Sequence, residues 1–296
     1  MRLADLIKIG KETISTLYPE REAGEMVFAY LADTLGIQRY TPVVEPEYDV
    51  APEEARAILK DFDRLAAGEP LQYVTGKAYF YGRVFRVNPH VLIPRPETEL
   101  LCRTALEHIR KRGVQSPKIL DLCTGSGCIA WTMAGECAAD SYGRQNARIE
   151  AVDISEEALE TAASQSIEES VSVRFHKADV LKMPDPTLFS KGSYDIILSN
   201  PPYVMDSEKA LMRTNVLDHE PHLALFVSDD DPLVFYRAVA DWASKLLKVG
   251  GYGLVEINEA LGERTADVFR QAGFANVAII KDLSDRDRFV EFTRIN

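Results

Sequence analysis

The sequence predicts an α/β protein, a seven-stranded Rossmann-like sheet preceded by a small all-helical N-terminal domain. Three observations carry that prediction. Apolar residues recur at helical spacing through residues 1–75, with no strand pattern among them. From residue 97 short apolar runs alternate with longer helical patterns, which folds as a mostly parallel sheet with helices on both faces. Between the two, residues 76–96 break both periods with glycine and proline.

In the N-terminal domain, Leu3, Leu6, Ile7 and Ile14 fall near one helical face. Met26, Val27, Tyr30, Leu31 and Leu35 repeat the pattern, and Gly36 suits a helix end. Pro52, Glu53 and Glu54 open a third helix, proline being preorganised for a first turn and carboxylates favoured near its N–H groups. Ile58, Phe62 and Leu65 carry it to Gly68. The stretch YFYGRVFRVNPHVLIPRP reads as a β-hairpin around Gly82 and an extended linker, together 76–96. The α/β domain, 97–296, then runs helix 97–112, strand 118–122, helix 127–137, strand 148–152, helix 155–165, strand 171–175, strand 194–199, helix 232–248, strand 251–257, helix 260–272 and strands 276–281 and 288–295. The last two strands are joined by the short polar run DLSDRD, so they can pair as a hairpin that places one antiparallel strand in the sheet. The polar segment 138–147 reads as an exposed insertion.

A chain of 296 residues with 46% hydrophobic and 27% charged residues can bury a core in two domains. The formal charge of -12 argues against non-specific grip on nucleic acid, which needs clustered Lys and Arg. Cys102, Cys123, Cys128 and Cys137 lack paired C-x-x-C spacing, so small buried hydrophobes in a reducing compartment are expected and no metal site. His219 and His222 flank Glu220-Pro221, which is not a helical H-E-x-x-H zinc motif. Asp5, Lys8 and Lys11 interrupt the first apolar run, and no uncharged apolar stretch of about 18 residues occurs. A cytoplasmic monomer with no membrane segment is the expectation.

Two motifs carry chemistry. In ILDLCTGSGCIA, 119–130, a strand leads through Gly125-x-Gly127-x-x-Ala130 into a helix, the pattern of a loop whose backbone approaches a nucleotide-like ligand. Asp153 ends the next strand, 26 residues after Gly127, where a carboxylate can hold two ribose hydroxyls. Ser155 is the better cap for the following helix. Asp121 precedes the loop and either orders it or faces a cationic group, and Asp179 in HKADV stands where an adenine amino group can be read.

The second motif is Asn200-Pro201-Pro202-Tyr203, which ends the apolar strand YDIILS. In an open α/β sheet, ligands sit beyond the carboxyl ends of the strands where the strand order reverses, between the first and fourth strands. Asn200 therefore falls beside the glycine loop. The prolines fix the backbone and supply carbonyl acceptors without N–H donors. The Asn200 amide oxygen and a proline carbonyl, Pro201 the better candidate, can accept both hydrogens of a planar –NH₂ group, and Tyr203 offers a flat face. Held so, the nitrogen is aimed at an electrophile, and a sulfonium-borne methyl group fits.

With these motifs in this order, the chain resembles the glutamine-N5 methyltransferases that modify peptide-chain release factors. PLQYVTGKAYFYGRVFRV, VLIPRPETELL, LDLCTGSGCIA, VDIS, SNPPYV and HEPHLAL all look like that family's blocks, and IPRPETE after a helical domain discriminates best. The resemblance implies a class I methyltransferase sheet, a substrate-docking helical domain, S-adenosyl-L-methionine as donor with S-adenosyl-L-homocysteine as product, and the glutamine of a Gly-Gly-Gln loop as acceptor. It places Cys123, Thr124, Gly125, Ser126, Gly127, Asp153, Asp179, Val180 and Asn200 at the donor, and Asn200, Pro201, Pro202 and Tyr203 at the acceptor. Cys123 departs from the family's usual glycine, FVSDDDPLVFY lacks a Gly-Gly turn, and EINEALGE lacks a glycine after EI. NPPY alone also suits an adenine-N6 methyltransferase on DNA or RNA that flips its base out, and the acidic balance counts against that alternative. Arg95 is expected either at the substrate or donor, or in an ion pair with Glu97 or Glu99. Phe80 is expected near the donor or in the core.

Overall fold

The computed structural model describes residues 1–139, 147–165 and 172–296. Most of the polar segment expected as an insertion, and the first residue of the strand expected at 171, lie outside them. The described chain forms two compact units, Met1–Lys77 with Met212–His219, and Ala78–Leu211 with Glu220–Asn296.

In the first unit the helical periods hold. The helices Leu3–Ile14, Glu20–Leu35 and Pro52–Ala66 bury Leu6, Ile14, Val27, Leu31, Phe62 and Leu65 completely. Gly10 lets this bundle close, because a Cβ there would come within 2.5 Å of the Phe62 ring. Gly36, at φ +67°, ends the second helix in the left-handed conformation that glycine adopts freely. The short helices Thr41–Val44, Leu71–Thr75 and Thr214–His219 are too brief to show a period in sequence. Arg213 pairs with Glu22 at 3.3 Å within this unit.

The second unit is built on one sheet, β1 (Lys118–Leu122), β2 (Arg148–Asp153), β3 (Val173–Lys177), β4 (Tyr194–Ser199), β5 (Leu247–Glu256), β6 (Ala275–Lys281) and β7 (Asp287–Thr293). Their spatial order is β6-β7-β5-β4-β1-β2-β3, with β7 antiparallel to both its neighbours and every other pairing parallel. The expected closing hairpin is thus present. Order reverses at β1, which lies between β2 and β4, and the register Leu122↔Ser199 brings the carboxyl ends of β1 and β4 side by side.

Alternation along each strand sends side chains to two faces. Ile119, Ile149, Ala151, Ile196 and Leu254 pack in one core with residues of the helices Pro96–Arg112 and Cys128–Ala139. Leu120, Leu122, Val152, Ile197 and Val255 pack in the other with Trp242, Tyr236 and Phe269 from Val234–Leu246 and Gly262–Gln271. Several boundaries move: β3 runs Val173–Lys177 where 171–175 was expected, and β7 runs Asp287–Thr293 where 288–295 was expected. β5 starts at Leu247, four residues before the expected 251, because parallel pairing with Tyr194 recruits the end of the preceding helix pattern into the sheet. The helix expected over 155–165 is Glu156–Ala163, with the Ser155 hydroxyl accepting from the Ala158 N–H at 3.0 Å as its cap. The strands Lys77–Phe80 and Arg83–Arg86 form the expected hairpin around Gly82. A small parallel pair, Val204–Met205 with Phe226–Val227, follows the Asn-Pro-Pro-Tyr segment and has no periodic signal.

Candidate active site

A cleft of about 290 Å³ opens at the carboxyl ends of β1, β2 and β4. Its wall includes Cys123, Thr124, Gly125 and Ser126 after β1, Asp153 at the end of β2, Asp179 and Val180 after β3, and Asn200 and Pro202 after β4. Of the residues expected at the site, Gly127, Pro201 and Tyr203 are not in this wall.

The loop after β1 is shaped by backbone that most side chains resist. Gly125 stands at φ +53° with open space where a Cβ would project, so a ligand can approach its backbone. Gly127, at φ +80°, leaves no such space, since a Cβ would lie 3.0 Å from both Ala162 and Trp131. Its part is packing, and its N–H closes the turn onto the Thr124 carbonyl at 2.9 Å. Cys123 holds φ +62°, the left-handed region that favours glycine. That is why a glycine suits this position, and why a cysteine here carries backbone strain. The other three cysteines are buried and none is in a disulfide.

Asp153 fastens the loop. Its Oδ2 accepts from the Gly125 N–H at 2.8 Å and its Oδ1 from the Ser155 N–H at 3.0 Å. A carboxylate offers about four lone-pair sites, so these bonds leave it accepting capacity for a ligand. Burial raises the Asp153 pKa, opposed by backbone donors at Ser155, Gly125 and Ile154. Asp121 is fully buried beneath the loop, and its Oδ2 accepts from the Thr124 hydroxyl at 2.6 Å. Burial pushes its carboxyl up to about 7, and its Oδ1 has no hydrogen-bond partner among the described residues. Gln165 joins the loop to the hairpin, its amide donating to the carbonyls of Ser126 at 3.1 Å and Arg86 at 2.8 Å. Asp179 accepts from the Leu181 N–H at 3.0 Å, which fixes its turn.

At β4, the Ser199 hydroxyl donates to the Leu122 carbonyl at 2.8 Å, so the two strand ends are tied together. Asn200 Nδ2 then donates to Thr98 Oγ1 at 3.2 Å, and that hydroxyl donates to Glu256 Oε2 at 2.7 Å. The Tyr203 hydroxyl donates to Glu256 Oε1 at 3.1 Å, and the Tyr203 ring packs against the apolar core. Asn258 holds the next stretch by donating to the Tyr203 carbonyl at 3.2 Å. The sequence reading missed Thr98 and Glu256. The available signal was a glutamate at the end of the apolar run GYGLVEI, the strand beside β4, where an unpaired carboxylate has no place.

Arg95, which also lines the cleft, donates to Glu220 Oε1 at 2.7 Å, and Glu220 Oε2 accepts from the Ile93 N–H at 3.2 Å. The carboxylate paired with Arg95 is therefore Glu220, not Glu97 or Glu99 as expected. The pair links the segment through Pro94 to the segment through Pro221, both of which line the cleft. Phe80 belongs to the core, edge-on to Phe85 at 6.0 Å. Among the described residues no cluster of three or more His, Cys, Asp or Glu is arranged to hold a metal, and no helix is long and apolar enough to cross a membrane.

Residues 115–281 match the family model of a methyltransferase domain, and residues 6–76 match that of the PrmC N-terminal domain. A release factor glutamine methyltransferase of Bacteroides thetaiotaomicron is 37% identical over 284 residues, covering 96% of this chain and 97% of its own length. One of Flavobacterium psychrophilum is 34% identical over 281 residues, 95% of each chain. One of Streptococcus pneumoniae is 34% identical over 292 residues, 98% of each chain.

Proposed function

The chain belongs to the release factor glutamine methyltransferase family, and on that premise we propose that it transfers a methyl group from S-adenosyl-L-methionine to N5, the side-chain amide nitrogen, of the glutamine in the Gly-Gly-Gln loop of peptide chain release factors. One observation carries this reading. Asn200 and Pro202 line the same cleft as the glycine loop and Asp153, so an amide acceptor and a nucleotide-type site share one wall.

The residues suit the donor. Asp153 lines the cleft with accepting capacity left for ribose hydroxyls, Gly125 leaves room for close approach, and Asp179 with Val180 stands where an adenine can be read. Bound there, the donor supplies an electrophilic methyl group on sulfur, so the hard chemistry belongs to the cofactor. The protein's part is alignment. Asn200 Oδ1 and a carbonyl of the Pro201-Pro202 segment accept the two hydrogens of the glutamine –NH₂. Pro202 walls the pocket, and Tyr203 stiffens it from behind through Glu256. Holding both hydrogens fixes the amide plane and turns the nitrogen's lone pair toward the methyl carbon. Positive charge grows on nitrogen as the C–N bond forms, and both acceptors stabilise it more than they stabilise the neutral amide. The methyl carbon's bond to sulfur breaks as the C–N bond forms, leaving S-adenosyl-L-homocysteine, and the nitrogen then releases one of its two hydrogens as a proton to water and keeps the other.

The test incubates the purified chain and S-adenosyl-L-methionine with a release factor, then reads the Gly-Gly-Gln peptide by mass spectrometry. A gain of one CH₂ on the glutamine is expected. No gain there, or transfer to adenine in a DNA duplex offered in parallel, would overturn the assignment.

A further inference from the structure

The Asn200 amide has two ends that differ only in hydrogen-bond sense, and the proposed reaction needs its oxygen in the cleft. We propose that Thr98 and Glu256 form a positioning relay that selects this orientation, with the ionised Glu256 carboxylate as the element that sets it. The inference rests on the function proposed above and assigns roles to two residues outside the loop and tetrapeptide motifs.

The geometry is directional. An ionised carboxylate only accepts, so the Thr98 and Tyr203 hydroxyls must both turn their hydrogens to Glu256. Having donated its hydrogen, Thr98 Oγ1 can only accept from Asn200, which selects Nδ2 as the atom facing it at 3.2 Å. Oδ1, without a protein partner among the described residues, is left for the cleft. Thr98 and Glu256 are 2% and 1% exposed, so water does not compete for these bonds. Neither Glu256 nor Tyr203 lines the cleft, so Glu256 acts through Thr98 and is not itself a catalytic residue.

Protonation loosens the choice. A neutral Glu256 carries a hydrogen of its own. If it donates that hydrogen to Thr98, the Thr98 hydroxyl is free to turn toward Asn200 and draw the amide oxygen to itself. The charged and titratable groups around Glu256 are Arg288 on β7, Glu97 on the helix Pro96–Arg112, Cys128 on the helix Cys128–Ala139, Tyr203 after β4 and Tyr236 on the helix Val234–Leu246. Burial raises its carboxyl to about 7, while Thr98, Tyr203 and Arg288 pull the other way and Glu97 adds to the rise. The ionised, orientation-setting form therefore grows about tenfold between pH 6 and pH 8. Asp121 titrates in the same range, but it sits under the donor loop. Its effect belongs to donor binding, whereas the relay acts on transfer at saturating donor.

The experiment has two arms. In the first, single-turnover transfer to the glutamine is followed from pH 6 to pH 8 at saturating donor. Wild type should rise about tenfold across the titration. Glu256→Gln should give a flat profile below the wild-type rate at pH 8. Thr98→Val should lose at least tenfold in rate with donor affinity unchanged, and Thr98→Ser should recover most of it. A wild-type rate for Thr98→Val, or an unchanged pH step in Glu256→Gln, overturns the relay. A merely structural role would lower the melting temperature of these variants and leave the pH step in place. The second arm needs no acceptor. The Asn200 side-chain NH₂ resonance in ¹⁵N-asparagine-labelled protein, identified by its loss in Asn200→Ala, should shift with pH in wild type and not in Glu256→Gln. A resonance insensitive to pH in wild type overturns the relay even where no acceptor is methylated, a result that would count separately against the proposed function.

Discussion

Replacing Asp153 by Asn tests the donor site with almost no change of shape. The carboxylate accepts from the Gly125 N–H at 2.8 Å through one oxygen and from the Ser155 N–H at 3.0 Å through the other. An amide has only one accepting end. Whichever way it turns, an –NH₂ faces a backbone N–H, and one bond is lost in the free protein. Leaving that N–H without an acceptor costs about 1–3 kcal/mol, and the lower half applies because Asp153 is only partly buried by exposure. Donor binding loses more. One of the two oxygens proposed to hold the ribose hydroxyls becomes a donor, removing a hydrogen bond to a charged acceptor that contributes about 1.5–3 kcal/mol. At about 1.4 kcal/mol per tenfold, the dissociation constant for S-adenosyl-L-methionine should rise between about tenfold and a hundredfold. Isothermal titration calorimetry measures this directly, with circular dichroism melts separating the loss of stability from the loss of affinity. Affinity within twofold of wild type would refute the role of Asp153, because no orientation of the amide retains both accepting ends. The direction with pH is also fixed. Since burial raises the Asp153 pKa, donor affinity should weaken in acid as this carboxyl protonates, and the weakening should begin above the usual carboxylate range.

Three further outcomes are expected. Asn200→Ala should slow single-turnover transfer by about 3 kcal/mol of barrier, roughly a hundredfold, and leave donor affinity within a few-fold, as rapid-quench kinetics with calorimetry would show. Gly253→Ala should destabilise the sheet unit by about 3 kcal/mol in urea unfolding, since a Cβ there meets the Phe292 ring at 2.1 Å and that ring is stacked on Phe269 at 4.1 Å. Glu256 has a folded pKa raised from 4.5 to about 7, so the folded state holds the extra proton, and its contribution to stability is fully present below 4.5 and lost as pH rises through 7. Glu256→Gln should therefore gain on wild type between pH 5 and pH 8, by on the order of 2–3 kcal/mol, in melts at the two pH values, and a pH-independent gap would contradict the assigned ionisation.

Much of the fold could be read from the chain because its elements are long enough to show a period. The sheet strands and their helices bury opposite faces, and helix starts such as Pro52 and Ser155 carry their own chemistry. The site loops were legible for a related reason, since glycine marks backbone that must reach unusual φ and proline fixes φ wherever it stands. Cys123 is the instructive case. The sequence flags it as a departure from glycine, and φ +62° gives the departure its physical meaning. What stayed hidden depends on distance. Thr98 and Glu256 are 158 residues apart and become partners only when the helix Pro96–Arg112 and β5 converge on the end of β4. Arg95 and Glu220, 125 apart, are hidden in the same way. A single chain carries no record of such pairings, and the short helix Thr214–His219 offers six residues, too few for a period to stand out.

The arrangement favours catalysis by placement over catalysis by a base. The two carboxyls held near neutrality, Asp121 and Glu256, are candidates for proton transfer on pKa alone, yet neither lines the cleft. The chemistry does not call for one. An amide nitrogen that has taken a methyl group carries positive charge and becomes a strong acid, so its proton leaves readily once the C–N bond exists. The difficulty lies earlier, in presenting a lone pair that resonance delocalises into the carbonyl π system, perpendicular to the amide plane. That step needs fixed acceptors at fixed angles. β1 and β4 run in register at Leu122 and Ser199, so the loop proposed to hold the donor and Asn200 stand on adjacent strand ends tied by a 2.8 Å hydrogen bond. The two prolines remove the freedom of the segment that follows. Glu256 then settles the last variable, the sense of one amide, and its buried charge is tolerated because two hydroxyls donate to it.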